Sequence, residues 1–94
     1  MRFRPFGITG TAVQMLLDAP IYPDSPAQTL YMRSFDTRTV YPDDSHNNFG
    51  ARITGFLIPT ESAEYELFLR SDDASQLFIS PDSDPAGLDR KSVV

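Results

Sequence analysis

Residues 49–80 read FGARITGFLIPTESAEYELFLRSDDASQLFIS, and this stretch decides the fold. Arg52-Ile53-Thr54-Gly55-Phe56-Leu57-Ile58 is a run of strong β-formers closed by Pro59, and Thr60-Glu61-Ser62-Ala63 supply a turn. Gly55 inside that run predicts a bulge or a close approach by another group. Tyr65 to Arg70 alternates Tyr65, Leu67 and Leu69 against Glu66, Phe68 and Arg70, the two-residue period of a half-buried strand. Phe68 interrupts the polar side, which predicts partial cover there too. A polar turn, Ser71-Asp72-Asp73-Ala74-Ser75, leads into a third run, Gln76-Leu77-Phe78-Ile79-Ser80. Short strands joined by tight turns predict an antiparallel meander in a sandwich or barrel.

Upstream, Leu30 to Phe35 reads as another strand, with Leu30, Met32 and Ser34 on one face and Tyr31, Arg33 and Phe35 on the other. Thr37 to Asn48 is a polar loop carrying the turn signal Tyr41-Pro42-Asp43-Asp44. Residues 20–28 are a proline-rich turn region. Residues 11–17 are the single helix candidate: Thr11 and Gln14 have the spacing of a capping box, Val13, Leu16 and Leu17 follow at helical intervals, and Pro20 and Pro23 stop it.

The composition narrows the function. Ninety-four residues make at most one domain, which buries only about 60–65% of the surface its unfolded chain exposes. A hydrophobic fraction of 40% and a charged fraction of 22% belong to a folded chain rather than a disordered one. The net charge of −5 repels phosphate backbones and anionic membrane surfaces, and Arg33, Arg38, Arg52 and Arg70 stand singly, so nucleic acid is not an expected partner. Without cysteine there is no disulfide framework, thiolate metal site or cysteine nucleophile. No apolar run approaches the ~20 residues that span a bilayer, and Met1 to Pro5 lacks the apolar core of a signal peptide.

Four blocks in order resemble the PA14 domain family. The first is Gly10-Thr11-Ala12-Val13 with Leu16-Leu17 and Tyr22-Pro23-Asp24-Ser25-Pro26. The second is Phe49-Gly50-Ala51-Arg52-Ile53-Thr54-Gly55-Phe56. The third runs from Pro59 through Tyr65-Glu66-Leu67, and the fourth is Ser71 to Ser80. Each is weak alone; together they cover residues 7–85. Two residues depart from the family pattern: Ala63 stands where a turn glycine is usual, and Phe49 where a tyrosine is frequent. The resemblance implies an all-β fold, an antiparallel β-sandwich with, here, a short N-terminal helix, in a non-catalytic module of extracellular or cell-surface proteins such as toxins, glycosidases and adhesins. The family continues past the fourth block with strands that Leu88 to Val94 do not supply. Residues 1–94 are therefore expected to form a single partial domain. Its strands at 51–58 and 64–70 would have unpaired edges and uncovered apolar faces, inviting self-association.

The resemblance also directs attention to Asp72 and Asp73. Neighbouring strand residues point to opposite faces, so two adjacent aspartates share an ion only if a cis peptide turns them to one side. Adhesins of this family hold calcium that way and grip sugar hydroxyls through it. The residues themselves leave a second reading open, in which one aspartate closes the turn and the other faces solvent. Tyr41, in a loop, is the expected exposed aromatic contact for a sugar, whereas Phe56 and Tyr65 fit core positions. The cluster Asp43-Asp44-Ser45-His46-Asn47-Asn48 reads as a solvated loop. Asp82 to Gly87 falls short of a calcium loop because Pro85 stiffens it and Val93 occupies the twelfth position, where glutamate belongs. A Ser-His-Asp site could use only His46, and no nucleophile-elbow pattern surrounds a serine. The expected function is carbohydrate binding, with calcium as its candidate cofactor; the alternative is a structural or protein-interaction domain that binds no sugar.

Overall fold

The computed structural model describes residues 1–93. Among the described residues the fold is all-β apart from one short helix and two 3-10 turns, with two antiparallel sheets, as expected. It divides into two compact units, Met1–Gly55 and Phe56–Val94.

The first unit is built on a strand that no local pattern announced. β1 (Arg2–Gly7) is the middle strand of a three-stranded sheet, between β2 (Leu30–Tyr31) and β3 (Phe49–Thr54). A proline in a middle strand normally removes a ladder bond. Pro5 avoids this because its carbonyl accepts from Ala27 N–H (2.8 Å) on the side away from β3. Its missing N–H would point to that same side, so the β1–β3 ladder loses nothing.

The β1–β3 pairing runs from Arg2 opposite Thr54 to Gly7 opposite Phe49, and alternation sorts its side chains onto two faces. On one face Phe3 is fully buried with Met32 and Tyr41, flanked by Met1, Leu30, Val40, Ala51 and Ile53. Phe3 meets Tyr41 edge-on with ring centroids 5.0 Å apart, and Tyr41 meets Phe49 the same way at 5.1 Å. On the other face Phe6, also fully buried, packs against Tyr22. The helix α1 (Val13–Leu17) brings Leu16 to this side. Gly50 lets it approach, since a Cβ there would lie 3.0 Å from Ile8 Cδ1 and 3.1 Å from Leu16 Cδ1.

Local expectations are corrected at several points. The capping box does not form: Ala12 is the N-cap with no side-chain bond, and Gln14 Nε2 instead donates to Asp18 Oδ1 (2.8 Å). The strand expected over Leu30–Phe35 pairs only at Leu30 and Tyr31, the two positions that β1 opposes. The run expected over 52–58 becomes β3 over Phe49–Thr54, ending where its ladder with β1 ends. Gly55 then takes the close approach its position suggested, because a Cβ there would meet Met1 Cγ at 2.6 Å.

In the second unit, β4 (Gln76–Ile79) pairs with β5 (Asp89–Val93) across a register shift at Leu77/Phe78. The 3-10 turn Pro85–Gly87 precedes β5 and is capped by Asp84, whose Oδ1 accepts from Ala86 N–H (2.9 Å). Asp82 Oδ1 accepts from Asp84 N–H (2.9 Å), so these carboxylates serve the backbone. The expected strand over Tyr65–Arg70 is absent, and no ladder among the described residues includes it. Its alternation marks a segment suited to a half-buried strand, but a strand exists only with a partner. Phe56, Leu57, Ile58, Tyr65, Leu67 and Phe68 are accordingly exposed, Phe68 to 91%.

Phe3 and Phe68 therefore have opposite energetic weight. In urea denaturation followed by circular dichroism, Phe3→Ala is expected to cost about 3–5 kcal/mol, enough to unfold a domain this small. Phe68→Ala should stay within about 0.5 kcal/mol. Equal losses would show that residues 64–70 form a packed strand after all.

Candidate functional site

A cleft of about 360 Å³ opens in the first unit beside the Tyr41–Phe49 loop. Its floor is Pro5, Phe6 and Gly7 of β1, and its polar rim comprises Gln28, Ser45, His46, Asn47 and Asn48. The loop is shaped by short-range bonds. Asp36 Oδ1 accepts from Arg38 N–H (2.9 Å), capping the 3-10 turn Thr37–Thr39, and Arg38 Nη2 pairs with Asp44 Oδ1 at 2.7 Å. Asp43 Oδ1 accepts from Ser45 N–H (3.0 Å) in an Asx-type turn. Asn48 adopts φ 55°, a left-handed conformation that asparagine tolerates, and its carbonyl accepts from Ile8 N–H (3.1 Å).

Tyr41 is not the exposed contact its loop position suggested. It is 8% exposed and belongs to the Phe3 core, with Gln28 Nε2 donating to its hydroxyl (3.2 Å). The correction follows from packing: the loop folds back over the β1–β3 sheet, and the largest apolar side chain in it fills the gap. The exposed ring is His46. It stacks on Tyr41 with centroids 3.6 Å apart and planes 4° from parallel, so Tyr41 holds a flat imidazole at the cleft edge. The loop is exposed over 42–48, as expected of a solvated loop, and it sets this stacked ring beside two asparagines. The signal that could have found it is the passage from the Pro42-Asp43-Asp44 turn straight into Phe49 of β3, which returns the loop to the sheet.

Catalytic geometry does not assemble around His46. Ser45 Oγ lies 3.4 Å from His46 Nδ1, yet the two are sequence neighbours on an exposed loop. The Asp43 carboxylate engages Ser45 rather than the imidazole.

Asp72 and Asp73 lie in the second unit. The one cis peptide among the described residues is Tyr22–Pro23, so the Asp72–Asp73 bond is trans, and Asp73 takes φ 60°. Neither aspartate closes the turn. Ser71 does, its hydroxyl donating to the Asp73 carbonyl (3.0 Å) and pairing with Ser75 Oγ (2.9 Å). Among the described residues no three His, Cys, Asp or Glu side chains gather where an ion could sit. A calcium ion takes six to eight oxygen ligands, and this trans-linked pair by itself does not fit that need.

The family model described as PA14 domain matches residues 20–82 of the chain. The match includes β2, the Tyr41–Phe49 loop, β3, the Asp72–Asp73 turn and β4. No curated protein and no solved structure matches the chain.

The loop carries a pH signature. Bonds from Ser45, its hydroxyl first and its backbone N–H second, hold the Asp43 carboxyl below its ordinary value. A depressed carboxylate pKa contributes stability that is present above the unfolded value and is lost as pH falls through the folded one. Asp43 is fully exposed, so the effect is local. By NMR titration Asp43 should titrate below the same residue in an unfolded peptide, and Ser45→Ala should move it back up. An unchanged pKa in Ser45→Ala would mean that the turn is not held by Ser45.

Proposed function

Because the chain belongs to the PA14 domain family, we propose that it is a carbohydrate-binding module of an extracellular or cell-surface protein. PA14 domains are generally non-catalytic and typically occur in extracellular proteins. No helix among the described residues is long and apolar enough to cross a membrane.

The observation that carries the reading is the Tyr41–Asn48 cleft. Sugars present hydroxyls around apolar C–H faces. The cleft sets His46, stacked flat on Tyr41, beside the amides of Gln28, Asn47 and Asn48. Each amide supplies both donor and acceptor, as a hydroxyl requires. Small sites of this kind combine an apolar floor with a few placed polar groups. In this reading Tyr41 acts by supporting the imidazole rather than by touching the sugar. Asp72 and Asp73 would each offer a carboxylate to a calcium ion, and further oxygen donors would be needed to complete its shell.

The alternative, a module that binds protein rather than sugar, draws on the exposed apolar side chains of Phe56, Leu57, Ile58 and Phe68. Contiguous exposed apolar surface marks interaction sites, self-association included. A glycan array probed with and without chelator separates the two. Binding is expected, reduced at least tenfold by His46→Ala. Chelator sensitivity that is lost in Asp73→Asn would assign calcium to the acidic turn. Absence of binding to every glycan, in folded protein, supports the protein-interaction module instead.

A further inference from the structure

The β1–β3 register brings together three arginines that are scattered in sequence. Arg4 lies directly opposite Arg52, and Arg2 lies opposite Thr54 on one side and Tyr31 on the other. Residues two apart on a strand share a face, so Arg2, Arg4, Arg52, Thr54 and Tyr31 all lie on the face opposite the Phe3 core. Directly opposed Cβ atoms sit about 4.5–5.5 Å apart, and Arg2 and Arg4 are about 7 Å apart along the strand.

Among the described residues no ion pair neutralises this row. The ion pairs among the described residues are Arg38–Asp44 and Lys91–Asp89, and neither involves it. Within Met1–Gly55 arginines and aspartates balance in number; the acidic excess of the chain lies in residues 56–94. Arg4 and Arg52 are both half-buried. Arg4 Nε is removed from solvent and has no hydrogen-bond partner. A buried donor on a charged group costs free energy while unpaired, and like charges directly across a ladder repel. Beyond Arg4 and Arg52 the same face continues as Phe6, buried against Tyr22, and Gly50, close to Leu16, so the row ends against an apolar wall. At its other end Tyr31 is 74% exposed.

We propose that Arg2, Arg4 and Arg52 form an oxyanion site and, resting on the carbohydrate reading above, that its ligand is an acidic glycan. A carboxylate or sulfate of the sugar lies between Arg4 and Arg52. Each guanidinium fork engages two oxygens of such a group. Arg2 and Tyr31 contact the next part of the glycan. The anion also removes the repulsion between the two arginines, so binding and folding are linked.

The test is calorimetric titration of the full chain with a tetrasaccharide of uronic acid, a neutral tetrasaccharide and inorganic sulfate, with thermal melts alongside. The acidic sugar is expected to bind more tightly than the neutral one, and more weakly as salt rises. Arg4→Gln and Arg52→Gln should each lose tenfold or more in affinity for it, while Arg38→Gln, whose arginine is paired with Asp44, should not. Without ligand both site variants should melt at or above the wild type, and neither should show its ligand-induced rise in Tm. If a glutamine variant fails to fold, Arg52→Lys keeps the charge without the fork and should still lose affinity. Equal binding of acidic and neutral sugars, unchanged in the variants, overturns the arginine site and leaves the carbohydrate reading standing. Sulfate binding as tightly as the acidic sugar overturns the glycan assignment, and binding of none of the three overturns both.

Discussion

The pairing of β1 with β3 is the contact on which the first unit depends. It joins residues 2–7 to residues 49–54, and each consequence follows from that register. Phe3 reaches the face where Met32 and Tyr41 close over it, and Phe6 reaches the face covered by Tyr22 and Leu16. A core this small has few buried side chains, so two fully buried phenylalanines on opposite faces of one strand carry a large share of the hydrophobic stabilisation.

The same register positions the chemistry. The loop before β3 must turn back to the sheet edge, and Tyr41 anchors it by burial. His46 can then lie flat because the ring beneath it is fixed on its far side by edge contacts with Phe3 and Phe49. The strand that buries Phe3 also turns Arg2 and Arg4 to the other face and sets Arg4 against Arg52. A cross-strand pair of like charges weakens the sheet that the core holds together. That this pair nevertheless stands opposed across the ladder, with no ion pair to it among the described residues, marks the arginine face as a site.

Much of the chain was legible locally. Residues 49–54 and 76–79 are strands because their β-formers are bounded by turn residues, and 13–17 is a helix because apolar spacing and the following prolines allow nothing longer. Elsewhere the signal was present but answered differently. Tyr65–Arg70 alternates well and has no partner among the described strands, while Arg2–Gly7, short and interrupted by Pro5, is the middle of the sheet. Thr11 and Gln14 have capping-box spacing, yet Gln14 bonds to Asp18 instead. Asp72 and Asp73 were legible as a turn, but Ser71 rather than an aspartate closes it.

By itself the sequence determined the β class, the family, and the turn at Tyr41-Pro42-Asp43-Asp44. These rest on propensities and bonds that act over a few residues. Which strands pair, that Tyr41 is buried beneath an exposed His46, and that three separated arginines share one face were decided only in the tertiary structure. Partner choice and facing depend on contacts between residues far apart in the chain, and a local pattern holds no record of what will lie opposite it.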